Sequence, residues 1–353
     1  MFGPPQARGY VDRMEPQGAA LRVAGWILHL AQPFTEIEAV VNGARVESSP
    51  PRPREDVGRA LHWIPHAARS GFSFDLEGVR NGDRLEIRGR RGGRVLARIK
   101  TALRHDLAGD PTPPEPLVRR VTGGGSAAFF KADGLRCTTD FLDAVEDYEP
   151  LTTVRRMLDW GCGCGRLSVH WLRDGGVPEV HGCDIDAEAV AWCRENLRGG
   201  TFQAIAPEPP TPYPDGFFDL VIGYSVFTHL GEVAQRRWLA EMRRVLAPGG
   251  LFLASVHGRL VAEFASPPLP GRPLRERLGR RLRHLAWLAK GFADAGEDHA
   301  LDGIAPTGYY RSTFQTRRYT RRAWSRTFEV LKHREGGMAS YQDLVILRRR
   351  PGC

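Results

Sequence analysis

Four residues at alternate positions, Asp159, Gly161, Gly163 and Gly165, follow the short apolar run that opens MLDWGCGCGR. Glycines at this spacing permit a tight turn and let a ligand lie against the backbone. Between a strand and a helix, such a turn sits at the carboxyl edge of an open α/β sheet, where nucleotide-like ligands bind. The dinucleotide fingerprint G-x-G-x-x-G needs a third glycine where this chain has Arg166. An acid ahead of the glycines is also unhelpful to a pyrophosphate and useful to an ammonium group. Asp184 ends the next apolar run, VHGCDI. Its two oxygens suit a vicinal diol; the competing role, capping the following helix, falls better to Asp186. Two histidines complete the set. His257 closes LFLASVH and His229 lies in VFTHL, each just past a predicted strand. There they can take a proton from a hydroxyl acceptor or simply pack and cap. Tyr310, Gln342 and Asp343 are further candidates from the C-terminal segment.

The elements that must hold these residues alternate. RMLDW, EVHGCDI, FFDLVIGYS and LFLASV read as strands. CGRLSVHWLRDG, DAEAVAWCRENL and VAQRRWLAEMRRVL read as helices, and TDFLDAVEDY reads as a helix before them. Alternation of this length predicts a parallel sheet covered on both faces. FEVLKHRE and YQDLVILRRR, joined by Gly336-Gly337, predict an antiparallel pair at the sheet edge. Residues 258–316 exceed an ordinary connection. Within them Leu274, Leu278, Leu282, Leu285 and Leu288 have helical spacing opposite a basic face. This segment predicts a helical lid, a helix packed on its own protein, or a peripheral contact with anionic lipid through 272–291.

Residues 9–105 have a different texture. LRVAGWIL, TEIEAVVNGARVES, GFSFDL and RLEIRGRRGGRVLARIK are short β runs. Asn42-Gly43 supplies the two positive-φ positions of a tight hairpin, and Asn81-Gly82-Asp83 marks another reversal. The spacing predicts a small all-β sandwich or barrel over 1–108. The proline-rich DPTPPEP marks a stiff linker, placed at 109–125, before an α/β domain at 126–350.

Bulk properties narrow the class. The 353 residues are 42% hydrophobic and 26% charged, which suits a globular protein. MFGPPQARGY lacks the apolar run of a signal peptide, and no stretch approaches a membrane span, so a cytoplasmic location is expected. The six cysteines form neither a CxxC pair nor a ligand cluster, so reduced thiols and no metal are expected. The net charge is +9, and residues 311–350 carry eleven Lys/Arg against three Asp/Glu. That excess is either a solvated basic face or an attraction for phosphate-bearing partners.

Four motifs in order closely resemble the class I S-adenosylmethionine-dependent methyltransferases: MLDWGCGCGR, VHGCDIDAEAV, DGFFDLVIGYSVFTHL and EMRRVLAPGGLFLASVHG. The resemblance covers about residues 126–350. It implies a Rossmann-like sheet and S-adenosylmethionine as cofactor. Asp159 would meet the methionine ammonium, and the backbone of Gly161, Cys162, Gly163 and Gly165 would pass beneath the ligand. Asp184 would hold the ribose, Ile185 would pack on adenine, and Tyr224 and Ser225 would line the methionine side. SAAFFKADGLRCTTDF resembles the helical segment that closes over the cofactor, where Arg136 would pair with the methionine carboxylate. The chain departs from the family at TFQAIAPEPPTPYPDG, which lacks the usual adenine-side acid; Gln203 or backbone would substitute, and Glu208 lies late. GYSVF stands where base N-methyltransferases carry an Asn/Asp-Pro-Pro-aromatic signature, which argues against exocyclic base N-methylation; the basic tail leaves RNA open, but the chain lacks the aromatic-basic interleaving of a recognised RNA-binding module, so a nucleic-acid partner is not expected. The N-terminal half, through Gly25-Trp26 and Asn42-Gly43, resembles β-sandwich modules beside bacterial glycosyltransferases and methyltransferases. That implies a link to surface polysaccharide or glycolipid synthesis, with the module binding glycan, packing or dimerising. The expectation is therefore O-methylation of a sugar or glycan-like acceptor. The alternatives are a small natural product or lipid acceptor, or a catalytically silent binding or scaffold protein; no oligomeric state is implied.

Overall fold

The computed structural model describes residues 7–265 and 287–351. The chain divides into two compact units, Met1–Thr112 with Gly125–Asp140 and Ala339–Tyr341, and Pro113–Gly124 with Phe141–Met338 and Gln342–Cys353.

In the first unit, β1 (Ala7–Gln17), β2 (Ala20–His29) and β5 (Gly71–Glu77) form one antiparallel sheet. β3 (Glu36–Val41), β4 (Ala44–Ser49), β6 (Arg84–Arg91) and β7 (Arg94–Ala102) form the other, in the order β4-β3-β6-β7. Leu21, Val23, Phe72 and Phe74 from the first sheet share a buried core with Ile37, Ile87 and Ile99 from the second, which makes a sandwich. A short helix, α1 (Glu55–Ala60), follows the Pro50–Pro53 loop. Asn42 (φ +49) and Gly43 (φ +87) form the expected positive-φ hairpin turn. The Asn42 amide also donates to Asp83 Oδ1 and accepts from the Arg84 N–H, each at 2.9 Å, tying this turn to β6.

Two segments depart from the sequence reading. The stretch 109–125 is not all linker, because α2 (Glu115–Thr122) occupies most of it and belongs to the second unit. Pro114 caps it, and Pro116 falls in the first turn, where a missing N–H breaks no helical bond. The helix α3 (Ala127–Glu146) begins where the α/β domain was expected to start, yet its residues to Asp140 cluster with the sandwich. Ala132 and Leu135 sit in the sandwich core, and the Thr139 hydroxyl accepts from the Ala102 N–H at 3.2 Å.

The second unit is the α/β part. Its strands are β8 (Arg156–Trp160), β9 (Glu179–Asp184), β10 (Gly200–Ala204), β11 (Phe218–Gly223) and β12 (Leu246–Val256). Further on come β13 (Phe292–Glu297), β14 (Arg311–Gln315), β15 (Glu329–Met338) and β16 (Gln342–Arg348). The seven-stranded sheet runs β10-β9-β8-β11-β12-β16-β15, parallel through β12 and antiparallel at its β16-β15 edge. The helices are α4 (Ser168–Asp174), α5 (Ala187–Asn196), α6 (Glu232–Val245), α7 (Arg259–Ala265) and α8 (Arg317–Trp324). Trp160 at the end of β8 lies 5.0 Å from Trp238 and 5.1 Å from Phe227, and Trp324 lies 4.6 Å from Phe227, ring centre to ring centre. These aromatics fix the sheet against α6 and α8. The chain leaves β8 toward β9 and β10, then returns to β8's other side as β11, so the switch point of a doubly wound sheet lies at β8.

At the edge hairpin, Gly336 and Gly337 do not form the turn. They lie within β15 at a register shift, and the reversal falls on Ala339 (φ +52) and Ser340 (φ +51). Nor is 258–316 wholly helical. Its described residues hold α7, a helical turn at 287–290 and the two-stranded β13-β14 sheet. Leu274, Leu278, Leu282 and Leu285 lie outside the described residues. No helix among the described residues is long and apolar enough to cross a membrane.

Candidate functional site

The loop after β8 is wired to the end of β9. The N–H groups of Gly161 and Cys162 both donate to the Cys183 carbonyl, at 2.8 and 3.1 Å. The Gly163 N–H donates to Asp184 Oδ2 at 2.7 Å, and the Asp186 N–H to Asp184 Oδ1 at 2.8 Å. Gly161 has φ +77, and a Cβ there would stand 2.3 Å from Val226 Cγ2. A Cβ on Gly165 (φ +78) would stand 2.3 Å from Leu197 Cδ1, at the end of α5. The first motif therefore needs glycine for close approach to β11's exit loop and to α5. Its amides are used internally, so a ligand meets the face of the backbone rather than free donors. The Cys162 thiol, buried against Cys193, is pushed well above its ordinary value.

α2 lies over this loop. A Cβ on Gly163 would stand 2.7 Å from Val121 Cγ1, and the Cys164 thiol donates to the Leu117 carbonyl at 3.6 Å. Arg120 reaches Asp186 at 2.9 Å and Glu188 at 2.8 Å. Asp186 in turn caps α5, accepting from the Glu188 and Ala189 N–H groups. Asp186 is the capping acid, which leaves Asp184 free of that duty.

Two acids stand close together here. Asp159 is 2% exposed and accepts the Ser168 hydroxyl at 2.6 Å. Burial raises its carboxyl to about 6 and the charge of Asp184 adds to the rise, while the Ser168 bond and Arg166 oppose it. Asp184 keeps some exposed surface, yet desolvation still raises it against its two backbone bonds. Ile185, next to it, is also half-buried. The Arg166 guanidinium lies 4.6 Å over the Tyr224 ring.

Ser225 (φ +60) anchors a polar network beside Tyr224. Its N–H donates to Ser255 Oγ at 2.7 Å, and its hydroxyl lies 2.9 Å from Thr228 Oγ1. Gln342 closes the circuit, donating to Ser225 Oγ at 3.0 Å and accepting from Ser255 Oγ at 2.7 Å. The sequence carried no signal for Ser255 or Thr228, since a serine in a strand and a threonine in a loop are unremarkable by type.

The histidines form a second cluster. His229 stacks on Tyr310 at 4.1 Å and 11°, and its Nδ1 lies 3.1 Å from the Arg311 carbonyl and 3.5 Å from Asp298 Oδ2. The His257 ring lies 6.2 Å from His229 and 5.4 Å from Phe314. Burial lowers His257 to about 3, with His229 adding to the effect. Burial also lowers His229, against the pull of Asp298. Both rings are therefore neutral at physiological pH. Burial raises Tyr310, and the charges of Asp298 and Asp184 add while Arg166 opposes. Tyr310 thus lies within electrostatic range of both Asp184 and Arg166, so the two clusters belong to one neighbourhood at the carboxyl edge of the sheet. Asp298 had no sequence signal, because it lies in a loop with no motif.

Three expected residues serve elsewhere. Arg136 is 1% exposed and belongs to the sandwich unit, where it donates to the Gly9 carbonyl and to Ser340 Oγ and lies 5.4 Å over the Tyr10 ring. Its guanidinium is spent on that packing, and within the second unit it is α2 that covers the glycine loop. Asp343 is buried in a pair with His333 at 2.8 Å and accepts the Gly336 N–H, so it is no base. Glu208 pairs with Arg237 at 3.1 Å on the surface. Gln203 lies on β10 opposite Cys183. Among the described residues, no group of three or more His, Cys, Asp or Glu could hold a metal ion.

Residues 157–250 match the family model of the methyltransferase domain. The chain is 29% identical to ajmaline N-methyltransferase of Rauvolfia serpentina over 46% of its own length and 56% of that protein. It is 35% identical to malonyl-[acyl-carrier protein] O-methyltransferase of Geobacter sulfurreducens, over 29% of its own length and 39% of that protein. It thus spans roughly two-fifths to just over half of these curated relatives. A solved S-adenosylmethionine-dependent methyltransferase from Mesorhizobium loti is 21% identical and covers 59% of this chain and 96% of its own, with a TM-score of 0.41. The stretch that matches the methyltransferase domain lies within the α/β unit and runs from β8 into β12.

Proposed function

We propose that the protein transfers a methyl group from S-adenosylmethionine to a hydroxyl of a sugar or glycan-like acceptor, acting in the cytoplasm. The observation that carries this reading is the pairing of two desolvated acids, Asp159 and Asp184, with two neutral histidines, His229 and His257, whose neighbour Tyr310 feels the charge of Asp184. The residues fit the cofactor. Two acids with raised pKa values next to a glycine loop favour a cationic ligand bearing a diol, and α2 leaves the loop's backbone face narrow and close.

When bound, S-adenosylmethionine supplies an electrophilic methyl group on a sulfonium. Asp159 would hold the ammonium, and Asp184 would accept from the ribose hydroxyls. The backbone of Gly161, Cys162, Gly163 and Gly165 would lie beneath the ligand, Ile185 would pack on adenine, and Tyr224 and Ser225 would line the methionine side. The Gln342–Ser255–Thr228 circuit holds Ser225 in its strained conformation. On the acceptor side, His229 and Tyr310 orient the hydroxyl and His257 takes its proton. A neutral imidazole has a free lone pair for this step, whereas an imidazolium has none. In line with the neutral pair, no charged group need be displaced for a neutral acceptor to enter. A second reading, a small natural-product acceptor, draws support from the likeness to ajmaline N-methyltransferase.

Calorimetric titration with S-adenosylhomocysteine tests the cofactor end. Wild type should bind, and Asp184→Ala should bind at least about tenfold more weakly, the loss of one charge-assisted bond pair. Binding by neither well-folded protein, or equally by both, would sink the assignment. A tritiated-methyl transfer screen over free sugars, glycans and alkaloids then separates the two acceptor readings.

A further inference from the structure

α8 has two unlike sides. At 100° per residue, Tyr319, Thr320, Ala323 and Trp324 occupy one arc, and Arg317, Arg318, Arg321 and Arg322 fill the remaining arc of roughly 140°. Tyr319, Thr320 and Trp324 are buried, and all four arginines are exposed. None of the four pairs with a carboxylate among the described residues, although ten other arginines of the second unit do. Arg326, just beyond the helix, is exposed and unpaired in the same sense. Charge of this density without counter-charge repels itself, at a cost to the fold that an anionic partner would remove.

The surroundings of the helix add an apolar component. The 287–290 turn packs on its N-terminus: the Thr316 N–H donates to the Gly291 carbonyl at 2.8 Å, and Phe292 lies 5.3 Å from the Tyr319 ring. This brings Lys290 and the exposed Leu288 beside the arginines. On another side the Tyr319 hydroxyl donates to Glu232 Oε1 at 2.7 Å, and Val233 follows at the start of α6. Val233 is 54% exposed and Leu288 38%, and only Val46 joins them as a large apolar side chain exposed among the described residues. Two of the three therefore flank one arginine-faced helix.

We infer that α8, with Lys290, Leu288 and Val233, is a surface that docks on an anionic lipid bilayer. Guanidinium groups bind phosphate bidentately, and the flanking Leu and Val enter the headgroup boundary. Nucleic acid would use the arginines and would have no use for the isolated aliphatic side chains, which is why the bilayer is the partner argued here. Docking by α8 leaves β14, which directly precedes it and carries the Tyr310–Arg311 end of the acceptor cluster, next to the membrane.

The test is co-sedimentation of the full chain with phosphatidylcholine vesicles, with and without phosphatidylglycerol. Wild type should bind only the anionic vesicles, and more weakly as salt rises. Each basic residue near an anionic leaflet contributes about fivefold in affinity, so Arg317→Gln/Arg318→Gln/Arg321→Gln/Arg322→Gln should weaken binding about 600-fold. Its unfolding temperature should not fall and its S-adenosylhomocysteine affinity should not change, because the buried face of α8 is intact and only the repulsion is relieved. Leu288→Asp/Val233→Ser should also weaken vesicle binding, while leaving affinity for inorganic polyphosphate and single-stranded RNA as it was. Vesicle binding unaffected by the arginine variant overturns the inference. So does absence of wild-type binding, and so does binding of RNA as tight as that of vesicles with no effect of the Leu288/Val233 variant.

Discussion

Asp159→Asn separates what the carboxylate costs the fold from what it contributes to ligand binding. Burial moves this carboxyl from 3.8 to about 6. A shift of that size means that the fold disfavours the ionised form by about 3 kcal/mol at neutral pH. The sign follows from proton uptake. Between the two values the folded chain holds the proton more tightly than the unfolded chain does. Stability therefore falls as pH rises from about 4 to about 6 and levels off above. Asparagine has the same shape and no charge, and its carbonyl oxygen still accepts the Ser168 hydroxyl. Some of the 3 kcal/mol is offset because that bond loses its ionic character. The variant should therefore be about 1–2 kcal/mol more stable than wild type at pH 7 without ligand, and no more stable near pH 4. Its affinity for S-adenosylhomocysteine should drop about tenfold or more, because the ammonium loses its counter-charge. Wild-type affinity should itself weaken as pH falls below about 6, while the variant's stays flat. Urea titrations at both pH values and calorimetry on both proteins measure all four quantities. A variant that is less stable at pH 7, or one that binds the ligand as tightly as wild type, refutes the assignment of Asp159 as a buried charge awaiting a cation.

Gly161→Ala places a methyl 2.3 Å from Val226 Cγ2 at φ +77. It should cost about 1–3 kcal/mol in thermal unfolding and displace the Ser225 network, with weaker S-adenosylhomocysteine binding; an unchanged melting temperature would count against the close approach. His257 titrates near 3 and so stays neutral above pH 5. His257→Gln should lower methyl transfer by about 10²–10⁴ with ligand affinity unchanged. Because burial lowers this group, its contribution to stability is present above the unfolded value of 6.5 and lost as pH falls toward 3. The variant's unfolding temperature should therefore fall less steeply than wild type's between pH 6.5 and 5; parallel curves would contradict a buried neutral imidazole.

The sequence was most informative where one short stretch did one local job. Asn42-Gly43 needs two positive-φ positions, and only such residues supply them, so the hairpin was readable. That β8, β9, β11 and β12 lie parallel in one sheet followed from strand and helix periods, though their order in it did not, and the division between Asp184 and Asp186 followed from which of them stands at a helix start. Prolines misled at 109–125. A proline pair signals an extended chain as readily as a first helical turn, and what chose the helix was burial of Leu117 and Val118, which local sequence does not encode. Arg136 misled for a related reason. Its place one helix before the sheet suited a carboxylate, but its role is decided by Gly9, Tyr10 and Ser340, which are remote in sequence. The glycines of 336–337 look like a turn because glycine permits one; the chain instead uses them to absorb a register shift and turns two residues later.

The same contrast runs through the site and explains why its two ends differ in legibility. Its glycine-loop end is built from Asp159 to Ser168 and from Cys183 to Asp186, two contiguous stretches whose backbone bonds to one another are dictated by adjacent parallel strands. Any chain that forms those strands brings the acids together, so type and spacing suffice to find them. The histidine end is assembled from His229, His257, Asp298 and Tyr310, contributed by two different strand exits and by the loop between β13 and β14. No local rule places Asp298 beside His229, because the β13-β14 pairing does that through a register set by Phe292 and Gln315. The two-stranded β13-β14 segment thus supplies Asp298 and Tyr310, the groups proposed to face an acceptor, while the parallel strands hold the acids. On the proposed reading, a change in the β13-β14 loop should alter which acceptor fits without disturbing the acids, because the loop shares no hydrogen bond with β8 or β9 among the described residues.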